Sequence, residues 1–183
     1  MSEPLFKSAA EAIIFALRYS TQQYAETAMS KMMKSSGRKG SGKGLVGNDG
    51  AGQAGMILNK IERLPLLERA CIVARYTDRQ DECPCCKQAT ASEGYRAAIT
   101  ILADWANRTV KDVTEVERMR FAIVQDFYER RRIVGKTAEA IGMPRQTAYD
   151  NRARIFIPLT ELDNRAQGMA EELLADIVGL TPA

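Results

Sequence analysis

Two glycines and a lysine stand at the spacing that nucleotide-binding loops use: Gly37, Gly42 and Lys43 in GRKGSGKG. Such a loop holds phosphate because a buried β-strand delivers a glycine-rich turn to the start of a helix, where backbone amides face the ligand. Here Gly44 replaces the hydroxyl that should bind magnesium, and the preceding residues have a helical pattern instead of a strand pattern. We therefore predict that this segment binds no nucleotide.

The same segment carries a concentrated positive charge. Residues 31–44 hold five basic side chains and no acidic one, and four of them define what we call the basic arm: Lys34, Arg38, Lys39 and Lys43. Glycine lets backbone amides approach a phosphate, while basic side chains add affinity that does not depend on base sequence. Two interpretations stay open: a flexible solvated linker, and an arm that becomes ordered on a nucleic acid or a protein.

Four cysteines offer metal or redox chemistry: Cys71, Cys83, Cys85 and Cys86. Cys83 and Cys86 have the C-x-x-C spacing of a zinc knuckle, and a tetrahedral zinc site needs four such ligands. The chain has no histidine, so all four cysteines, or three and a nearby carboxylate, would have to bind the ion. One structural zinc ion that pins the loop at 78–92 and plain reduced thiols both stay open.

Enzymatic chemistry is not expected from these residues. Without histidine, the usual activation of a nucleophilic cysteine is impossible. Redox C-x-x-C sites open a helix after a strand, and no strand pattern precedes these cysteines. We predict that the protein is not an enzyme.

Residues 135–155, GKTAEAIGMPRQTAYDNRARI, have the spacing of a helix-turn-helix. Ala138 supplies the small residue where the second helix crosses the first, and Gly142 supplies a left-handed turn four residues later. Pro144 suits the first turn of the second helix, whose buried face continues at Ala148 and Ile155. Asn151 stands where this motif usually has an aliphatic residue, which predicts a weaker contact between the helices.

The remaining polar residues of this motif have the chemistry that a major groove recognises, because arginine pairs with guanine and glutamine with adenine. The predicted base contacts are Arg145, Gln146, Tyr149 and Arg152. The predicted DNA backbone contacts are Lys136, Thr137, Arg130, Arg131, Arg132 and Arg154. An ordinary helical hairpin without DNA binding is the alternative.

Helical patterns surround these sites along nearly the whole chain. Apolar residues recur at three- and four-residue steps over 5–33, 53–64, 65–78 and 95–107, and the chain reads as helical from Thr114 onward with breaks at Gly135, Gly142 and Pro158. No strand is predicted, so the fold class is all-α. The predicted organisation is an N-terminal helix at 1–34, a Gly/Lys-rich flexible arm at 35–54, a helical domain with the cysteine loop at 55–112, and a helix-turn-helix domain at 113–183.

Charge is distributed unevenly over the 183 residues. The net charge is only +3, but residues 128–154 carry seven basic and three acidic side chains, whereas 160–183 carry five acidic and one basic. This distribution favours a polyanionic partner such as double-stranded DNA over a membrane. No apolar run is long enough to span a bilayer and the N-terminus is unlike a signal peptide, so we expect a cytoplasmic protein with reduced thiols.

The stretch ERMRFAIVQDFY followed by GKTAEAIGMPRQTAYDNRARIFIPLTEL resembles the region of bacterial sigma factors that binds the upstream promoter element. Together with MILNKIERLPLLERACIVARY and the cysteine segment, the order of helices over about 55–175 is similar to that of the Q-type late antitermination proteins of bacteriophages. This resemblance implies a phage or prophage late-gene regulator in a bacterial host, which binds promoter DNA and engages RNA polymerase through the basic arm or the N-terminal helix.

Two other functions stay open. A small-terminase-like protein would also use a helix-turn-helix to recognise viral DNA, and would form a ring. A helical adaptor would use the same surface to bind protein, and its binding to DNA would not show the steep salt dependence that phosphate contacts produce.

Overall fold

The computed structural model describes residues 5–25, 48–82, 86 and 88–178, which are mostly helical. The helices in this part of the chain are α1 (Ala9–Ala25), α2 (Asn48–Glu62), α3 (Leu66–Tyr76), α4 (Glu93–Thr109), α5 (Glu117–Glu129), α6 (Ile133–Ala140) and α7 (Arg145–Val178). Two short strands, β1 (Gln80–Glu82) and β2 (Ala89–Ala91), pair into a two-stranded sheet.

The predicted all-helical class is confirmed, but the expectation of no strand is wrong at this sheet. Each strand has only three residues, and all three residues of β2 are exposed. Runs of three residues are shorter than the roughly four to eight residues over which alternation of apolar and polar residues indicates a half-buried strand.

Helix α2 begins earlier than the sequence predicts, inside the range assigned to the flexible arm. It starts at Asn48 and includes Gly50 and Gly52. Its buried side chains Ala54 and Ile57 lie in the same packed unit as α1, against which α2 packs. Tertiary burial of this kind overrides the low helix propensity of glycine. The basic arm at 34–43, like the residues resembling a nucleotide-binding loop, lies outside the described residues.

Two predicted helix breaks are also wrong. Gly135 lies inside α6, and Pro158 lies inside the unbroken α7. The break before α6 falls instead at residues 130–132. Ile155 and Leu159, which flank Pro158, are fully buried, so packing of the buried face maintains the helix across a residue that cannot donate its backbone hydrogen bond.

The chain forms two compact units. The first contains the described parts of 1–64, 76–90 and 169–183, and the second contains 65–75 and 91–168. Within the first, Phe6, Ile13 and Ile57 are buried, and the Lys60 ammonium donates to the Asp176 carboxylate at 2.6 Å. The second unit contains α6 and the first part of α7, and its largest buried apolar side chains include Ile99, Leu102, Met119, Ile123, Ile155 and Leu159.

Candidate nucleic-acid interface

Helices α6 and α7 are joined by a tight turn at residues 141–144. Gly142 has φ of +70°, the left-handed conformation that the sequence predicts for it. The backbone N–H of Met143 donates to the Ala138 carbonyl at 2.9 Å, and that of Gly142 donates to the Glu139 carbonyl at 3.2 Å. This pair of bonds is a Schellman motif, which satisfies the last carbonyls of α6 and reverses the chain into α7.

The apolar residues predicted for the inner faces of the two helices are buried. Ala138 of α6 is 1% exposed, and Ala148 and Ile155 of α7 are completely buried. These positions confirm the predicted buried faces.

Asn151 is buried and forms hydrogen bonds with two residues that the sequence pattern does not identify. Its side-chain oxygen accepts the backbone N–H of Thr114 at 2.7 Å, and its amide nitrogen donates to the Thr147 carbonyl at 2.7 Å. The residue is 6% exposed. It therefore fastens the segment that enters α5 onto α7, and both of its polar groups are satisfied in the interior.

Asp126 of α5 is a polar anchor that the sequence analysis missed. One carboxylate oxygen accepts the backbone N–H of Ile133, at the start of α6, at 3.1 Å. The other accepts a hydrogen bond from the Arg152 guanidinium of α7 at 2.8 Å. The only signal in the sequence is an acidic residue placed among the buried positions of α5.

The loop between α5 and α6 exposes three arginines. Arg130 and Arg132 have φ of 55° and 54°, a conformation that costs a side-chain-bearing residue about 1–2 kcal/mol. The Arg130 N–H donates to the Asp126 carbonyl at 2.9 Å, which closes the end of α5. Arg131 lies 3.6 Å from the Glu129 carboxylate and is 65% exposed. The loop therefore has a defined backbone and solvent-facing charges.

Three of the predicted base contacts lie together at the start of α7. Arg145 and Gln146 are exposed and Tyr149 is partly buried. The Arg145 guanidinium carbon lies 5.7 Å from the centre of the Tyr149 ring, and the Gln146 amide donates to the Asp150 carboxylate at 2.9 Å. The Arg145 guanidinium and the Gln146 amide thus each contact a residue four positions further along α7, while both side chains stay exposed to solvent.

Arg152 and Arg154 are engaged in contacts within the second unit. The Arg152 guanidinium binds Asp126 and lies 3.9 Å from the centre of the Phe156 ring. Arg154 donates to the Asp112 carbonyl at 2.5 Å. The two predicted backbone contacts on α6 are Lys136, which is exposed, and Thr137, which is partly buried.

The cysteines divide between described and undescribed residues. Cys71 is fully buried in the second unit and Cys86 is exposed in the first, whereas Cys83 and Cys85 lie outside the described residues. Burial is the main cause that raises the pKa of the Cys71 thiol to about 12, and nearby Tyr128 opposes the shift. No group of three or more potential metal ligands occurs among the residues that the structure describes, and the zinc ion stays a prediction.

Comparison with protein-family models, curated proteins and solved structures finds no match to the chain. The interpretation of the site therefore depends on its geometry and chemistry. Within the described ranges, no helix combines the length and apolar content that crossing a membrane requires.

Proposed function

We propose that this protein is a sequence-specific DNA-binding transcription regulator whose helix α7 enters the major groove by its first turns. The observation that carries the proposal is the α6–turn–α7 arrangement, with left-handed Gly142 at the turn and exposed Arg145 and Gln146 immediately after it. A recognition helix contacts base edges with its N-terminal residues. Arginine donates two hydrogen bonds to guanine, and glutamine exchanges two with adenine.

Phosphate contacts come from the residues that precede α7. Lys136 and Thr137 lie on α6, and the exposed side chains of Arg130, Arg131 and Arg132 lie in the loop before it. These groups add affinity and fix the register of the protein on the duplex without selecting a sequence. Because the Arg152 and Arg154 guanidinium groups are engaged within the protein, we propose that both hold α7 in place rather than contact DNA.

We further propose that the regulator is of phage or prophage origin and acts as a late antiterminator that engages bacterial RNA polymerase. The support for this narrower proposal is the resemblance of residues 55–175 to the Q-type proteins. The basic arm, with Lys34, Arg38, Lys39 and Lys43, is then a second surface for polymerase or nucleic acid.

One observation favours a protein-binding adaptor as the second candidate. Ile157 of α7 is 67% exposed, and a large apolar side chain on the outer face of a helix is a common contact in protein interfaces. The adaptor function predicts no sequence preference and little salt dependence in binding to DNA.

Selection of bound sequences from a random duplex pool tests the proposal, with Arg145→Ala and Lys136→Ala compared in parallel. Arg145→Ala should remove the preference at one base pair at a cost of about 1–3 kcal/mol there. Lys136→Ala should weaken binding to all sequences and reduce the salt slope by about 1. Arg96→Ala on α4, which is also exposed, is the control for loss of positive charge and should retain the motif.

Failure to enrich any sequence would contradict a sequence-specific regulator. Equal loss on every sequence in Arg145→Ala would contradict the base-reading role of that residue alone.

A further inference from the structure

Gly135 on α6 lies beside the two residues that begin the exposed face of α7. A Cβ atom at this position would lie 3.4 Å from the Tyr149 hydroxyl oxygen, 3.9 Å from Arg145 Nε and 4.0 Å from Arg145 Nη2. Tyr149 also places its ring 5.7 Å from the Arg145 guanidinium carbon. We call Gly135 and Tyr149 together the arginine platform.

Backbone conformation does not require glycine at position 135, and the space there limits only side chains longer than that of alanine. Gly135 lies inside α6, where glycine is about 1 kcal/mol less favourable than alanine, and its φ is not in the left-handed region. An alanine there would make ordinary van der Waals contact with the Tyr149 hydroxyl. A longer side chain would occupy the volume that the Tyr149 hydroxyl and the Arg145 guanidinium now share.

The tyrosine ring can orient the arginine without using its hydrogen-bond donors. In a cation–π contact the guanidinium lies against the face of the tyrosine ring. The N–H groups along the edge of the guanidinium therefore stay available for hydrogen bonds. Recognition of guanine needs two of those N–H groups in a fixed fork that meets O6 and N7. An arginine held in place before binding also loses less side-chain entropy when the complex forms.

We propose that Gly135 and Tyr149 are positioning residues that fix Arg145 for a guanine, so that the preferred ligand is a duplex with a guanine facing the first turn of α7. This inference rests on the proposed function. It assigns Tyr149, which the sequence analysis placed among the base contacts, to the support of Arg145. It also gives α6 a part in sequence preference through a residue that touches no DNA.

The test measures binding of the full chain to its selected duplex and to the same duplex with the guanine pair replaced by an adenine pair. Gly135→Leu and Tyr149→Leu should each reduce the preference for guanine by about threefold to tenfold, as expected for loss of a cation–π contact and of arginine orientation. Gly168→Leu is the matched control, because Gly168 lies inside α7 with nothing within 4 Å of its Cβ position. Tyr149→Phe keeps the ring and should retain the preference.

Circular dichroism melting curves show whether Gly135→Leu and Tyr149→Leu are folded. The two substitutions disturb different helices, so misfolding of one does not imply misfolding of the other. Tyr149→Leu removes a partly buried side chain and leaves α6 unchanged, so it tests the platform even if Gly135→Leu does not fold. The inference would be overturned if folded Gly135→Leu and Tyr149→Leu kept a guanine preference within about twofold of wild type while Arg145→Ala lost it. A wild-type protein that enriches no sequence would instead overturn the proposed function itself.

Discussion

Asp126 carries a negative charge into a place where its side chain is only 4% exposed. Its two oxygens accept hydrogen bonds from the Ile133 backbone and the Arg152 guanidinium. A buried carboxylate is stable only when such partners replace water. The position of α6 relative to α5 and α7 therefore depends on this one side chain within the second unit.

Asp126→Ala should lower the free energy of unfolding by about 1–3 kcal/mol, because it removes the acceptor at the start of α6 and leaves the half-buried Arg152 without its partner. Urea denaturation monitored by circular dichroism measures the change. Asp150→Ala is the matched control, since Asp150 is exposed and accepts a hydrogen bond from exposed Gln146. The effect of this variant should stay within about 0.5 kcal/mol. Equal losses in the two variants would show that Asp126 is not an anchor.

Asp126 also shows why part of the site escapes prediction from sequence. An acidic residue on a helix is most often solvated. The burial of Asp126 depends on Ile133, which lies beyond the end of α5, and on Arg152, which lies 26 positions away. Asn151 was recognised as unusual, but its partner Thr114 lies 37 positions away. In contrast, Ala138, Gly142 and Ala148 were predicted correctly, because the constraint on each comes from local chain geometry.

The turn between α6 and α7 is the element on which the candidate interface depends. Gly142→Ala should destabilise the protein by about 1–2 kcal/mol, since a Cβ is strained at φ of +70°. Nothing lies within 4 Å of that Cβ position, so the cost comes from the backbone conformation alone.

Gly168→Ala should change the free energy of unfolding in the direction opposite to Gly142→Ala, and thermal denaturation measures both. This glycine lies inside α7, also with open space at its Cβ position, and alanine there should stabilise by about 1 kcal/mol. If thermal denaturation shifted both variants in the same direction, the left-handed conformation at Gly142 would not be what the turn requires.

Helix ends were harder to predict than helix existence. The sequence placed a break at Pro158, yet α7 continues because Ile155 and Leu159 are buried on either side of it. It did not place left-handed residues at Arg130 and Arg132, because arginine rarely adopts that conformation. At Pro158 and Arg130, contacts formed by the folded unit outweigh the local preference of the residue.

The free energy of unfolding should decrease at alkaline pH because of a buried pair, Cys71 and Tyr128. The Cys71 thiol and the Tyr128 hydroxyl lie together, and burial is the main cause that raises the pKa of both, that of Cys71 from 9.0 to about 12. Glu68 and Asp163 raise the pKa of Cys71 further, whereas Arg75 lowers it.

The sign follows from comparing the folded and unfolded chains. Both carry a neutral thiol below pH 9, and above that value the unfolded chain releases its proton first. The free energy of unfolding should therefore fall as pH rises from 9 towards about 12. Urea midpoints at about pH 8 and about pH 10.5 measure this loss.

Cys71→Ser isolates the contribution of the thiol, since serine is similar in size and does not titrate in this range. The loss of stability at alkaline pH should be smaller in this variant than in wild type. An identical loss would assign the effect to Tyr128 or to other groups.

The left-handed backbone at Arg130 and Arg132 implies a conflict between two kinds of selection. Glycine at either position would relieve the strain, so a laboratory selection for heat resistance alone should favour it. The same replacement would delete a guanidinium from the surface proposed to meet phosphate. Among variants of this loop, thermal stability should therefore rise as affinity for the polyanion falls.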